Sequence, residues 1–190
     1  TFKSNLKSLQ ETQKGDAFEL LTKLYLQLHP TYSTQLKNVW ILKLKEVPAM
    51  VHKKLNLPSP DEGIDLIAET IDGEYWAIQS KYKDDEEKSL SRGELATFTD
   101  LAFTICKNIK FGLVCTSVDR LSYKLKMYGN RLGFCSGEVW RSLDEDFFKL
   151  IHRHLKGKAI QLIPLKHMTK QSLKEKWNIR LTTTFSFLGH

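Results

Sequence analysis

The chain has 190 residues, 41% of them hydrophobic and 27% charged, with a formal net charge of +7. That is one domain's worth of sequence with enough apolar surface for a real core, and the balance excludes wholesale disorder. No apolar run approaches the ~20 residues that span a bilayer, and the opening TFKSNLKSLQ lacks the apolar core of a secretory signal.

In chain order, the absence of a Met at Thr1 and the apolar ending TFSFLGH at His190 predict a segment of a longer protein. Residues 11–28 read as a helix with Phe18, Leu21, Leu24, Tyr25 and Leu28 on one stripe, stopped by His29-Pro30. Asn38 to Val47 alternates as a strand, with Trp40, Leu42 and Leu44 on one side and Lys43 and Lys45 on the other. Pro48 opens a short helix to Asn56, closed by Pro58 and Pro60. A hairpin follows between Pro60 and Lys83, then an acidic run (Asp84 to Glu87) and a loop to Arg92. Gly93 to Asn108 reads as a helix, Lys110 to Ser117 as a buried strand, and Asp119 to Leu132 as a helix. Ser142 and Glu145 spell a capping box leading into a helix that ends at Gly157. Ala159 to Ile163 reads as a strand and Lys170 to Trp177 as a basic helix. Strands alternating with helices around a hairpin predict an α/β fold with a mixed sheet.

Cys106, Cys115 and Cys135 are odd in number, with neither CxxC nor His-ligand spacing. They argue against a disulfide scaffold and a zinc site, and predict buried free thiols in a reducing cytoplasm. The six histidines form no ligand cluster, and no GxxxxGK[ST] phosphate loop occurs. From Phe147 to Arg180 there are nine Lys or Arg against one acid, a local excess larger than that of the whole chain; such a face suits a polyanion, most commonly nucleic acid.

The hairpin concentrates the chemistry. Gln79 and Lys81 are two apart and share a strand face, with Tyr75 and Ala77, while Trp76, Ile78 and Ser80 point the other way. A two-residue Asp72-Gly73 turn would pair Asp65 with Ser80. A three-residue Ile71-Asp72-Gly73 loop, with Gly73 in the left-handed position, pairs Asp65 with Gln79, and we expect this register, since a one-residue slip reverses every side chain. Asp65 is then an anionic oxygen ligand for a hard cation such as Mg²⁺. The Gln79 amide oxygen and the Ser80 backbone carbonyl are further ligands, and Lys81 is placed to stabilise a pentavalent phosphate or help deprotonate the attacking water.

Gly63-Ile64-Asp65-Leu66-Ile67-Ala68 followed by Gln79-Ser80-Lys81 resembles the Mrr-like branch of the PD-(D/E)XK nuclease superfamily, in which Gln replaces the usual Glu. Lys14 to Glu19 (KGDAFE) resembles that family's first-helix pattern, and Gly112 to Ser117 its fourth core strand. The resemblance runs from Lys14 to Ser117. It implies a restriction-endonuclease-like α/β fold, a mixed β-sheet flanked by helices, and a Mg²⁺-dependent DNA endonuclease for which Mn²⁺ is a substitute. It also implies that Glu19 completes the metal site, although helical spacing puts Glu19 opposite the apolar stripe, where an exposed acid is the competing reading. Pro60-Asp61 spells the superfamily's name but lies in a Pro-rich loop, so the metal role goes to Asp65. Lys83, Arg92 and Lys43 are candidate contacts to double-stranded DNA.

The hairpin with LPSPDEGIDL is similar to nuclease domains fused to helicase and methyltransferase domains in ATP-dependent, single-polypeptide type I-like restriction-modification enzymes. The expectation is therefore one Mrr-like endonuclease domain over 1–190, with a core at about 11–165 and a basic extension over 166–190, from a larger cytoplasmic, prokaryotic protein with no membrane association. The alternative is a catalytically inactive nuclease-like module that binds DNA or serves assembly. A domain that does not touch nucleic acid is disfavoured by the basic C-terminal segment.

Overall fold

A computed structural model describes residues 11–59, 62–85 and 87–161. These fall into two compact units, residues 18–143 and residues 11–17 with 144–161. The larger unit is built on a five-stranded sheet in the order β1-β2-β3-β5-β7. The strands are β1 (Leu36–Ile41), β2 (Leu66–Thr70), β3 (Tyr75–Lys81), β5 (Ile109–Thr116) and β7 (Leu132–Cys135). β1, β2 and β3 are antiparallel neighbours, whereas β3, β5 and β7 run parallel. A second, two-stranded parallel ribbon joins β4 (Ser89–Leu90) to β6 (Arg120–Leu121). The mixed sheet flanked by helices is the α/β, restriction-endonuclease-like architecture expected from the sequence.

Period-2 alternation sorts the two faces. On one face Ile67, Ala77, Val114 and Leu132 form a core with Leu55 of α3 (Ala49–Leu55) and Phe98 of α4 (Ala96–Asp100). On the other lie residues 18–28 of α1 (Glu11–Leu28), where Phe18 and Tyr25 each meet the Trp140 ring of α5 (Gly137–Arg141) edge-on, with centroids 5.0 Å apart. Beyond the anticipated stripe, Thr22 and Leu26 of α1 are also fully buried, so this helix is covered on more than one side. All three cysteines are buried and free. Among the described residues no helix is long and apolar enough to cross a membrane.

Several elements differ from expectation. Pro30 does not merely stop α1; it opens a single turn, α2 (Pro30–Ser33), capped by the His29 ring. β1 starts earlier and ends at Ile41. An irregularity between Leu36 and Asn38 shifts its phase so that Leu36, Val39 and Ile41 are buried, and the Glu46 carboxylate takes the Ile41 N–H at 2.7 Å on the open side of this edge strand. The helix expected over 93–108 is a 3₁₀ turn (Gly93–Leu95), α4, then a π turn (Leu101–Ile105).

The helix expected over 119–132 is absent. Leu121, Leu125, Tyr128 and Leu132 have helical spacing, but the chain forms β6, a 3₁₀ segment (Tyr123–Arg131) broken at Gly129 (φ +54°), and β7. In the smaller unit the last helix, α6 (Glu145–Gln161), is capped by Asp144, whose carboxylate takes the Phe147 N–H at 2.8 Å, and not by Ser142. That helix continues through Gly157 to Gln161, which removes the strand expected to start at Ala159. The basic helix expected at Lys170–Trp177 lies outside the described residues.

Candidate active site

The β2–β3 hairpin has the expected register. Leu66 faces Ile78 and Ile67 faces Ala77, so Asp65, one residue before β2, falls opposite Gln79. The loop is Ile71-Asp72-Gly73: Gly73 sits at φ +81°, its N–H donates to the Thr70 carbonyl at 3.0 Å, and the Thr70 hydroxyl accepts the Glu74 N–H at 3.0 Å. The entry to β2 is equally constrained. Gly63 has φ +113°, and a Cβ there would lie 3.1 Å from the Thr97 methyl, so only glycine gives this approach without strain. Two residues later the backbone of Asp65 is stitched on both sides, donating to the Ile78 carbonyl (3.0 Å) and accepting from the Leu42 N–H (2.9 Å).

These constraints aim the side chains. Asp65 Oδ2 accepts the Ser80 N–H at 2.7 Å. A strand residue directs its N–H and C=O to the same edge, so the Ser80 carbonyl is turned toward Asp65 as well. The Ser80 hydroxyl is shared with the buried Thr22 hydroxyl at 3.1 Å, tying α1 to the strand that carries the site. Gln79 is only 7% exposed and its Oε1 has no hydrogen-bond partner. Asp65, Gln79, Ser80 and half-buried Lys81 line one side of a cleft of about 650 Å³, whose lining also includes Glu94, Thr97 and Asp100.

A buried amide oxygen without a partner, beside an aspartate and a strand-end carbonyl, is a hard-oxygen donor set that fits a cation such as Mg²⁺. Among the described residues no three of His, Cys, Asp and Glu converge; the donor set here is one carboxylate, one amide and one backbone carbonyl.

The remaining residues singled out from the sequence are placed differently. Glu19 is half-buried, not exposed, and its Oε2 lies 2.7 Å from the Lys43 ammonium; it is not among the residues lining the cleft. Lys43 is thus in an ion pair with Glu19. Lys83 lies beyond the end of β3, and its ammonium contacts Glu94 Oε1 at 2.7 Å and donates to the Ser89 carbonyl at 2.9 Å. Arg92 is exposed.

Glu94, Thr97, Asp100 and Thr22 were not singled out from the sequence. For Glu94 a signal was present. Ser91-Arg92-Gly93-Glu94 is a capping box: Glu94 Oε2 accepts the Ser91 N–H (2.9 Å) and hydroxyl (2.8 Å), and Ser91 Oγ accepts the Glu94 N–H (3.3 Å). Partial burial opposes the Glu94 charge, but the Lys83 ammonium and the Ser91 donors outweigh it and bring its carboxyl from 4.5 down to about 2. Thr97, Asp100 and Thr22 carry no such pattern.

Comparison with known proteins agrees with this architecture. A solved structure described as the ATP-dependent Type ISP restriction-modification enzyme LlaBIII bound to DNA matches with a TM-score of 0.55 at 22% identity, over 76% of this chain. The likeness is one of fold, and this chain spans only 9% of that one. No curated protein matches. A family model described as restriction endonuclease, of the Mrr catalytic type, matches residues 27–128, more than half of the sequence and the whole of the hairpin. The chain belongs to this restriction endonuclease family.

Proposed function

We propose that the chain is a Mg²⁺-dependent endonuclease domain that hydrolyses phosphodiester bonds of double-stranded DNA, as part of a larger ATP-dependent restriction-modification enzyme. The observation that carries the reading is the unpartnered, buried Gln79 Oε1 next to the Asp65 carboxylate at an open cleft. Asp65, Gln79 Oε1 and the Ser80 carbonyl would hold the cation, for which Mn²⁺ is a substitute. When bound, the cation supplies Lewis-acid stabilisation of the phosphoryl oxygens and a more acidic water.

The chain's own groups have separable tasks. The Ser80 N–H fixes one Asp65 oxygen and so orients the carboxylate. Gln79, locked by burial, keeps its oxygen in place at little entropic cost on binding. The Lys81 ammonium offsets charge that develops on the phosphate. Glu19, committed to Lys43, acts here as support for α1 unless that ion pair opens. The ATP-dependent context is supported by fold likeness to an enzyme described as ATP-dependent, and helicase and methyltransferase partners in the same polypeptide follow from that reading alone.

The test is nicking of supercoiled plasmid with Mg²⁺ or Mn²⁺, by this chain and by its parent protein with ATP, for wild type, Asp65→Ala and Lys81→Ala. Cleavage by the wild type that both substitutions abolish is expected. Cleavage that survives both would sink the assignment. Tight duplex binding without cleavage under all of these conditions would favour a DNA-binding module that has no hydrolytic step.

A further inference from the structure

Beyond the cleft, one surface combines charge and apolar exposure. The sequence from Arg120 to Arg131 holds four cations (Arg120, Lys124, Lys126 and Arg131) and no acid; Arg120 pairs with Glu87 at 3.0 Å and Arg131 lies over the Phe103 ring, while Lys124 is exposed. In the same run Tyr123 is 75% and Met127 62% exposed. Other exposed apolar residues, such as Met50 and Ile71, stand singly, which is ordinary for a protein surface.

The segment is firmly seated. Side chains three apart eclipse one another in a 3₁₀ helix. Leu125 and Tyr128 therefore point inward together, Leu125 into the core and the Tyr128 hydroxyl onto the Thr99 hydroxyl of α4 at 3.1 Å. The same geometry stacks Lys124 and Met127 on an outward face, beside Tyr123.

Its position in the topology relates it to the site. β3 and β5 are parallel and end together, Lys81 beside Thr116, and the Ser117 N–H donates to the Lys81 carbonyl. The crossover that carries residues 120–131 leaves the sheet from this edge, the one that holds Lys81. Its first residues, 120–122, are pinned there by the β4–β6 ribbon and by the Ser122 N–H on the Leu90 carbonyl at 3.0 Å, and by Leu132, opposite Gly112, the chain has returned toward the amino end of β5. Loops at the carboxyl ends of parallel strands are where α/β proteins present ligand contacts.

We propose that this crossover is an auxiliary DNA-binding surface, with Lys124 on the phosphate backbone of a duplex and Tyr123 and Met127 packed against its sugars and base edges. The proposal rests on the reading of the chain as a DNA-acting enzyme, but it concerns binding and not hydrolysis. A rigid aromatic and a polarisable thioether suit the apolar part of a groove, and the exposed lysine suits its polyanionic rim.

The experiment is fluorescence anisotropy of a labelled DNA duplex in EDTA, where no cleavage occurs, across a series of salt concentrations. The proteins are wild type, Lys124→Ala, Tyr123→Ala/Met127→Ala, Asp65→Ala and, as a surface-charge control, Lys53→Ala on α3. Because Tyr123, Lys124, Met127 and Lys53 are exposed, unchanged melting temperatures are expected for their variants.

Lys124→Ala should flatten the dependence of log affinity on log salt by about one contact. The double variant should weaken binding about tenfold at unchanged slope. Wild-type behaviour of both variants, equal loss in Lys53→Ala, or no duplex binding by the wild type would each overturn the proposal; the first would leave the surface to a protein partner. Should Asp65→Ala and Lys81→Ala retain plasmid cleavage while the crossover variants lose binding, the active-site reading falls and this one stands.

Discussion

Two polar clusters lie a few residues apart at the carboxyl end of β3, and they are built on opposite terms. In the Lys83–Glu94–Ser91 cluster the charged and hydroxyl groups find partners within the chain: ammonium to carboxylate and carbonyl, carboxylate to backbone and hydroxyl donors. In the Asp65–Gln79–Lys81 cluster a buried amide oxygen has none. A polar network closed on itself holds a loop in place. One that leaves a buried acceptor unsatisfied carries a penalty of about 1–3 kcal/mol that only something outside the chain relieves. The contrast separates two lysines that look alike in sequence: Lys81 faces the cleft, while Lys83 is spent on Glu94.

The comparison can be broken or sharpened by substitution. The largest effect is expected at the open cluster. Asp65→Asn or Lys81→Ala should lower the cleavage rate by about 10²–10³ or more with the fold retained by circular dichroism, whereas Lys83→Ala should lower it far less; equal losses would erase the distinction.

Next comes Gln79→Met, which keeps volume and removes the orphan acceptor. Activity should fall about a hundredfold, while the unfolding free energy stays level or rises by about 1 kcal/mol. A marked loss of stability in denaturant titration would instead make Gln79 a structural residue. Gly73→Ala meets open space around its new Cβ, so its cost is the left-handed backbone alone, about 1 kcal/mol, with the register and the cleft intact.

The smallest effect belongs to the closed cluster. Glu94 has its folded-state pKa depressed, so its contribution to stability is present above 4.5 and is lost as pH falls through about 2. Thermal melts of wild type and Glu94→Gln should therefore differ at neutral pH and converge across that acid window. The difference should stay below about 1 kcal/mol because the ion pair is partly exposed. Persistence of the gap at pH 2 would contradict the pairing.

What was legible beforehand was local. The hairpin register could be read because Gly73 favours a three-residue loop and because period-2 alternation leaves one way for Asp65 to meet Gln79. α1, α3 and β5 could be read from stripe, proline and apolar run. The crossover after β5 could not: its leucines have helical spacing, and only pairing of β6 with β4 and of β7 with β5 made strands of it. The pairing of Lys43 with Glu19 was equally hidden, since the two come from segments distant in sequence, and Lys83 meets Ser89 and Glu94 only because the loop between them folds back.

The sequence by itself therefore determined the α/β class, the family, the hairpin and the three residues at its open end, since each depends on spacing within a few dozen residues. Tertiary structure alone decided which of those polar groups stay unpaired. Burial at Gln79 and the ion pairs of Lys43 and Lys83 arise from chain segments brought together only by the fold, and no local pattern records whether a buried oxygen will find a donor.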